Sequence, residues 1–316
     1  MTDQNFRMTL IACFAAIYVV WGSTYIAIRL LADTLPPFTM VGLRFLIAGA
    51  LVYGWVYTRP VERATARQWR SASLAGLFLI FFGTGAVVWA VQHVDSGLVA
   101  LLVGMEPLWM AVLIWVLPFA RDREHRPTLG TFAVLALGFS GAAILAAPTE
   151  VLGAPIHLPS VLVVAFGCIS WAGGSLWLRQ ADMPESSWES TAIQMLVGGA
   201  ALSAYGLAIG EWGAFDPSAV SLTSLLAFAY LVVFGSLVAF SAYAWLIQHA
   251  EPTLVATHAY VNPVVAVFLG WWLADEAITT RTVLASVLIV GSVVLMTTEE
   301  GRRKRREARS DAEATA

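Results

Sequence analysis

Away from helix ends, three ionisable side chains stand in stretches otherwise apolar enough to cross a bilayer: Arg44, Glu106 and His258. A charge at the membrane centre costs about 2.5–3.5 kcal/mol on insertion scales, so such residues are read as facing a partner, the protein interior or a wet cavity. Glu106 is followed by Pro107 and Asn262 by Pro263. Each proline withholds an N–H from the carbonyl four residues earlier, that of Val103 and of Ala259. Freed carbonyls at membrane depth are tolerated only where protein or water can satisfy them. Breaks at matching places in two halves of a chain point to a transporter's central site. His258 precedes Asn262 by four residues and shares its helix face. Glu106 and His258-Asn262 are therefore expected to approach one axis from opposite halves. Such a set could bind the charged ends of a small molecule or move a proton.

Alternatives stand beside each of these readings. Arg44 lies about 9 Å and Glu106 about 15 Å below the outer ends of their spans, at 1.5 Å per residue. The two are within reach, as a purely structural ion pair or as parts of a site. His258 is either part of that site or a core histidine bonded to a backbone carbonyl. The mid-span aromatics Trp21, Trp89, Trp171, Tyr243 and Tyr260 either line a cavity or pack against neighbouring helices.

These residues need helices to position them. Of the 316 residues, 59% are hydrophobic and only 12% charged, where a soluble domain carries about 25% charged residues. Mean hydropathy is +0.74. Apolar runs of bilayer-spanning length recur near 9–31, 38–58, 71–91, 96–118, 128–147, 158–178, 189–209, 221–247, 253–273 and 279–298. The expected class is an all-α integral membrane protein with ten transmembrane helices. The loops between them leave no room for a soluble domain. The first run is too long for a cleaved signal and no small-x-small site clearly follows it.

The two halves repeat. At an offset of 150, Trp21 to Arg29 (WGSTYIAIR) matches Trp171 to Arg179 (WAGGSLWLR), Gly49-Ala50 matches Gly199-Ala200, and Gly141 matches Gly291. At an offset of 156, Gln92-His93 matches Gln248-His249, Leu98 to Ala100 matches Leu254 to Ala256, and Glu106-Pro107 matches Asn262-Pro263. Five spans per copy would invert the second copy relative to the first, an architecture of secondary transporters. The expected units are a five-helix repeat over 1–150, an inverted one over 151–300, and a disordered basic tail over 301–316. That tail could bind anionic lipid heads or simply anchor the topology. Small-xxx-small pairs such as Ala12/Ala16, Gly138/Ala142 and Gly199/Ser203 suit close helix contact.

Charge sets orientation. With the N-terminus inside, Arg7, Arg59, Arg63, Arg67, Arg70, Arg121, Arg123, Arg126, Arg179 and the six basic residues of the tail are cytoplasmic, 15 of the 18 Lys and Arg. Only Arg29 and Arg281 fall outside, and Arg44 within a span. Both termini are expected in the cytoplasm. This pattern and the short loops fit a bacterial inner membrane.

Cys13 and Cys168 fall inside spans and read as buried small side chains rather than a disulfide. No G-x-x-x-x-G-K-[ST] loop is present, which disfavours direct ATP drive within the chain. Gly138-Phe139-Ser140-Gly141 resembles the G-x-S-G of membrane serine proteases, with His258 as the base it would require. Ser140 aligns with Val290 and only the glycine at 141/291 recurs, so packing explains it better and no enzyme is expected. A non-transporting scaffold is the other alternative, although a passive bundle has no need of buried charges.

WGSTYIAIRL in the first span, Arg44-Phe45 in the second, Glu106-Pro107 in the fourth and the run from Tyr243 to Glu276, with AYVNPVVAVFLGWWLADE at its core, resemble the drug/metabolite transporter superfamily, specifically its EamA-type members. The resemblance spans about residues 9–298. It implies ten helices in two inverted five-helix halves around a central cavity, moving small metabolites, often outward. Amino acids and toxic compounds are cargoes of relatives. With one buried basic residue, a doubly charged phosphate is disfavoured. The expectation is a secondary exporter of small amphipathic metabolites such as amino acids. Arg44 would meet a carboxylate, Glu106 an ammonium and the aromatics an apolar group. Exchange for protons could run through Glu106 or His258. No metal, cofactor or nucleic acid is expected, and the chain would act as a monomer or homodimer in the lipid bilayer.

Overall fold

The computed structural model describes residues 3–117, 129–146, 158–213, 215–250, 252–255, 258–288, 290–292, 294–295 and 298. Among them the chain is helical, without strands. Seven described helices are long and apolar enough to cross a bilayer. They are α1 (Asp3–Ala32), α2 (Pro37–Tyr57), α3 (Ala66–Ala90), α4 (Ser96–Val116) and, beyond the apolar α5 (Leu129–Ala146), α6 (Leu158–Gln180), α7 (Ser187–Ala208) and α8 (Leu222–His249). The shorter α9 (His258–Ala274) and a helix over Thr280–Ser292 follow. The tail 301–316 and the loop carrying Arg121, Arg123 and Arg126 lie outside the described residues. Cys13 and Cys168 are free thiols, Cys168 buried.

The proline breaks differ from each other. α4 is interrupted at Gly104-Met105, where the Met105 N–H bonds the Leu102 carbonyl at 3.1 Å, and it resumes at Glu106. The thiol of Cys168 on α6 approaches the carbonyls of Leu102 and Val103 at 3.9 and 4.0 Å, a weak donor beside the Val103 carbonyl that Pro107 leaves without its helical N–H. In the second half the helix runs on through the proline. A single turn, Pro252–Val255, precedes α9, and Pro263 lies inside α9.

Two helices loosen into π geometry, α3 over Leu77–Thr84 and α8 over Leu231–Phe240. A π turn displaces carbonyls from the regular ladder. Side chains from facing helices take them: Ser170 Oγ donates to the Phe78 carbonyl at 2.9 Å, and Trp21 Nε1 to that of Gly235 at 3.3 Å. Just past the end of α3, His93 stacks on Trp89 with centroids 3.9 Å apart, and α8 ends on His249 stacked on Trp245 at 4.4 Å, residues 156 positions apart in the chain.

α2 and α7 pack backbone to backbone. A Cβ on Gly42 would stand 2.7 Å from the Gly199 carbonyl oxygen, and one on Gly49 would stand 3.1 Å from that of Ala192. At the 150 offset, Gly42 corresponds to Ala192 and Gly49 to Gly199, so the two contacts are counterparts. Small residues permit this approach in lipid, where close packing replaces the hydrophobic drive.

Carboxylates tie helix ends across the halves. Glu211 accepts from Phe38 N at 2.9 Å and from Thr39 N and Oγ1, each at 2.8 Å, capping α2. Glu276 accepts from Ser96 N at 3.0 Å, Ser96 Oγ at 2.6 Å and Gly97 N at 3.1 Å, capping α4. Each satisfies orphan N–H groups and complements the helix dipole. Ser221, just before α8, donates its N–H to Thr34 after α1 at 3.2 Å. The start of α3 meets the end of α6 instead, with Arg67 Nε 3.6 Å from Asp182.

Candidate functional site

A cavity lies among α1, α2, α3, α4, α6, α8 and α9. Five of the nine residues expected at the site line it: Arg44, Glu106, His258, Trp21 and Trp171. The three ionisable ones are 4%, 2% and 3% exposed, which places them inside the protein rather than toward lipid.

Their pairing differs from the sequence expectation. No ion pair joins Arg44 and Glu106. Glu106 Oε2 lies 3.5 Å from His258 Nε2, while Glu106 Oε1 has no hydrogen-bond partner. The break at Gly104-Met105 sets Glu106 at the start of a helical segment, from which it meets α9. Arg44 instead lays its guanidinium over the adjacent ring of Phe45, 4.4 Å from the centroid, and its Nε and Nη1 bond nothing. A desolvated cation over a ring gains a favourable contact but no hydrogen bond. A donor-bearing cation and an acceptor-bearing carboxylate thus open into one cavity.

His258 Nδ1 stands 2.9 Å from the Val255 carbonyl oxygen. The imidazole therefore holds a backbone carbonyl three residues earlier and faces Glu106 as well. Trp21 meets its ring with centroids 5.0 Å apart.

The aromatic wall is cross-braced. Trp171 Nε1 donates to the Tyr243 hydroxyl at 2.9 Å, and that hydroxyl lies 2.6 Å from Ser175 Oγ. Tyr243 stands behind Trp21, centroids 5.0 Å apart, and does not line the cavity. Trp89 does not line it either, being stacked on His93 at the end of α3. Asn262 is buried against α1. With its nitrogen turned toward them, its amide donates to the carbonyls of Tyr18 and His258, both at 3.0 Å. It thus pins α9 to α1. Tyr260 belongs to α9, and its side chain lies outside the described residues.

The cavity also takes residues that sequence reasoning missed: Thr24, Tyr25, Phe45, Thr84, Cys168 and Phe240. Two were signalled. Tyr25 follows Trp21 by one helical turn, and Phe45 is half of the Arg44-Phe45 pair. The others become cavity residues through the π stretches and the α4–α6 contact, which periodicity does not encode. Ser140 is exposed and donates to the Leu137 carbonyl of its own helix at 2.7 Å, while His258 is engaged at the cavity. No serine–histidine pair forms.

The pattern of the EamA-like transporter family matches residues 8–147 and again residues 158–298. The chain belongs to this family. It is 35% identical over 291 residues, 92% of this chain and 91% of the other, to a protein of Escherichia coli (strain K12) named uncharacterized inner membrane transporter YedA. It is 24% identical to the uncharacterized transporter YvbV of Bacillus subtilis (strain 168), covering 92% of each chain. A solved crystal structure superimposes with a TM-score of 0.64 at 21% identity, over 92% of this chain and 98% of that one, which speaks for the fold alone. The EamA chain is therefore a membrane transporter rather than an enzyme, and a multi-pass protein of a bacterial inner membrane.

Proposed function

We propose that this transporter is a secondary-active exporter of small amphipathic metabolites, with amino acids as the favoured class, working by alternating access. The observation that carries the reading is the pairing of unmet groups in one cavity. The Nε and Nη1 of Arg44 and the Oε1 of Glu106 are buried without partners, and aromatic rings form the walls between them. Unpaired buried polar groups are costly, so a site built this way favours a ligand that satisfies them. A carboxylate suits Arg44, an ammonium suits Glu106, and an apolar side chain suits Trp21, Trp171 and Phe240.

The fold behind this reading is ten transmembrane helices in two five-helix repeats, 1–150 and 151–300, with the second inverted. It is supported by the double family match, by the counterpart contacts of α2 with α7, and by helix ends. α1 finishes beside Ser221, whereas its sequence counterpart α6 finishes beside Arg67. Equivalent halves that meet at one site can rock about it, exposing it to each side in turn. The arginine distribution supports both termini lying in the cytoplasm. The energy would come from an ion gradient, with Glu106 or His258 as the coupling group.

A second reading, export of drugs or other toxic compounds, is favoured by the preponderance of apolar wall, including Tyr25, Phe45 and Phe240. Efflux from proteoliposomes of a panel of labelled amino acids and lipophilic cations separates the two. Amino-acid efflux supports the first reading and cation efflux alone the second. Movement of neither class removes both.

A further inference from the structure

We infer that Glu106 and His258 hold one proton between them, and that the ammonium of a zwitterionic cargo takes that proton's place, so that one proton is exchanged for each molecule carried. The inference rests on the amino-acid reading above and adds the identity of the coupling site, its stoichiometry and its charge balance.

A carbonyl oxygen can only accept, so His258 Nδ1, 2.9 Å from that of Val255, carries a hydrogen. In a neutral ring the other nitrogen, Nε2, is then an acceptor. It faces Glu106 Oε2 at 3.5 Å, and a carboxylate oxygen is also an acceptor. Two bare acceptors, both all but fully buried, would repel. A single proton, on either partner, turns the contact attractive. The pair is then neutral in sum, as a carboxylic acid beside an imidazole or as a carboxylate beside an imidazolium.

Among the described residues lining the cavity, Arg44 is the one other charge, and no ion pair joins it to the carboxylate. Tyr25 from α1, Cys168 from α6 and Tyr243 from α8 are the other titratable groups that interact with it. Each is neutral in its protonated form. Arg44 from α2 is the other charged group lining the cavity, and its guanidinium lies on Phe45.

Before loading, the cavity holds Arg44 as a cation and the neutral Glu106–His258 pair, a sum of +1. On loading, the proton leaves the pair for water, and the bare Glu106 carboxylate receives the cargo's ammonium through the open Oε1. The cargo's carboxylate meets Nε and Nη1 of Arg44. The loaded cavity sums to zero, since Arg44 and Glu106 cancel and the zwitterion is neutral. Proton and zwitterion are thus alternative passengers that differ by one charge. Their exchange is electrogenic, and an inside-negative potential favours cargo leaving the cell.

The test uses the full-length protein in liposomes with a trapped pH dye, loaded with labelled L-phenylalanine as probe. The expected result is loss of label with acidification of the lumen at one proton per molecule, faster with a lumen-negative potential. The variant His258→Asn is expected to lower the number of protons taken up per phenylalanine lost several-fold, and a ratio unchanged from one overturns the shared-proton site. Phenylpropionate and phenethylamine, each lacking one charged group, are expected to compete roughly tenfold or more weakly than phenylalanine, since each leaves one charged partner unmet. Label loss without acidification overturns the shared-proton site and leaves amino-acid export standing. Absence of label movement overturns both. Equal competition by phenylpropionate overturns the role of the ammonium.

Discussion

Trp21 and Trp171, counterparts in the two sequence repeats, meet edge to face with ring centroids 5.4 Å apart. Both line the cavity, so the wall is formed where the halves touch rather than within either one. Trp171→Phe removes the N–H given to Tyr243 but leaves that hydroxyl its contact with Ser175. The expected loss is about 1 kcal/mol. Trp171→Ala removes the ring that braces Tyr243, Phe240 and Trp21, for an expected loss of about 3–5 kcal/mol. Thermal unfolding of the purified variants in one detergent measures the difference.

The glycines of α2 should separate sharply. Gly42→Ala drives a methyl into the backbone of α7 at Gly199 and Ser203, for an expected cost of about 1–3 kcal/mol or more. Gly54→Ala in the same helix meets nothing within 4 Å and should stabilise by about 0.5–1 kcal/mol through helix propensity. Denaturation midpoints check both signs.

Glu276 and Glu211 each hold a helix start from the other half. Glu276→Ala leaves Ser96 N and Gly97 N without an acceptor, and Glu211→Ala does the same at Phe38 and Thr39. A loss of about 1–3 kcal/mol is expected for each. The caps serve different helices, so the double variant should lose nearly the sum, as read from the same unfolding assay.

Asp95, just before α4, gives a pH signature. Burial pushes its carboxyl above the ordinary value of 3.8, Glu276 adds to the rise, and Arg29 opposes it. A carboxyl raised in the folded state favours folding while protonated. That advantage is full below pH 3.8 and is lost as pH rises through the raised folded value. Asp95→Asn, fixed in the neutral state, should therefore be more stable than the parent at pH 7. The gain should shrink as pH falls toward 3.8. Melting temperatures across that range decide it.

Much of this was legible beforehand because membrane depth makes charge expensive. Arg44, Glu106 and His258 stood out for that reason, and all three line the cavity. The break at Gly104-Met105 was legible from Pro107, whereas Pro263 lies inside α9 without ending it. Partner choice was not legible. Helix depth allowed Arg44 to reach Glu106, but the break in α4 hands Glu106 to His258 instead. Asn262 aligned with Glu106 in sequence yet serves α1, because an amide can satisfy backbone carbonyls that a carboxylate cannot. The π stretches left no mark in the hydropathy pattern, and with them went the prediction of Thr84 and Phe240 as wall residues.

Glu106 is the hinge of the account, because it is the one group asked to meet both cargo and proton. The direct measurement is labelled amino-acid efflux from proteoliposomes holding wild type or Glu106→Gln, at several external pH values. The account predicts that the amide variant, matched in shape but lacking the charge, transports roughly tenfold or more slowly and loses its pH response, since a charge-assisted contact is worth about 1.5–3 kcal/mol. Wild-type rates with an unchanged pH profile would contradict it.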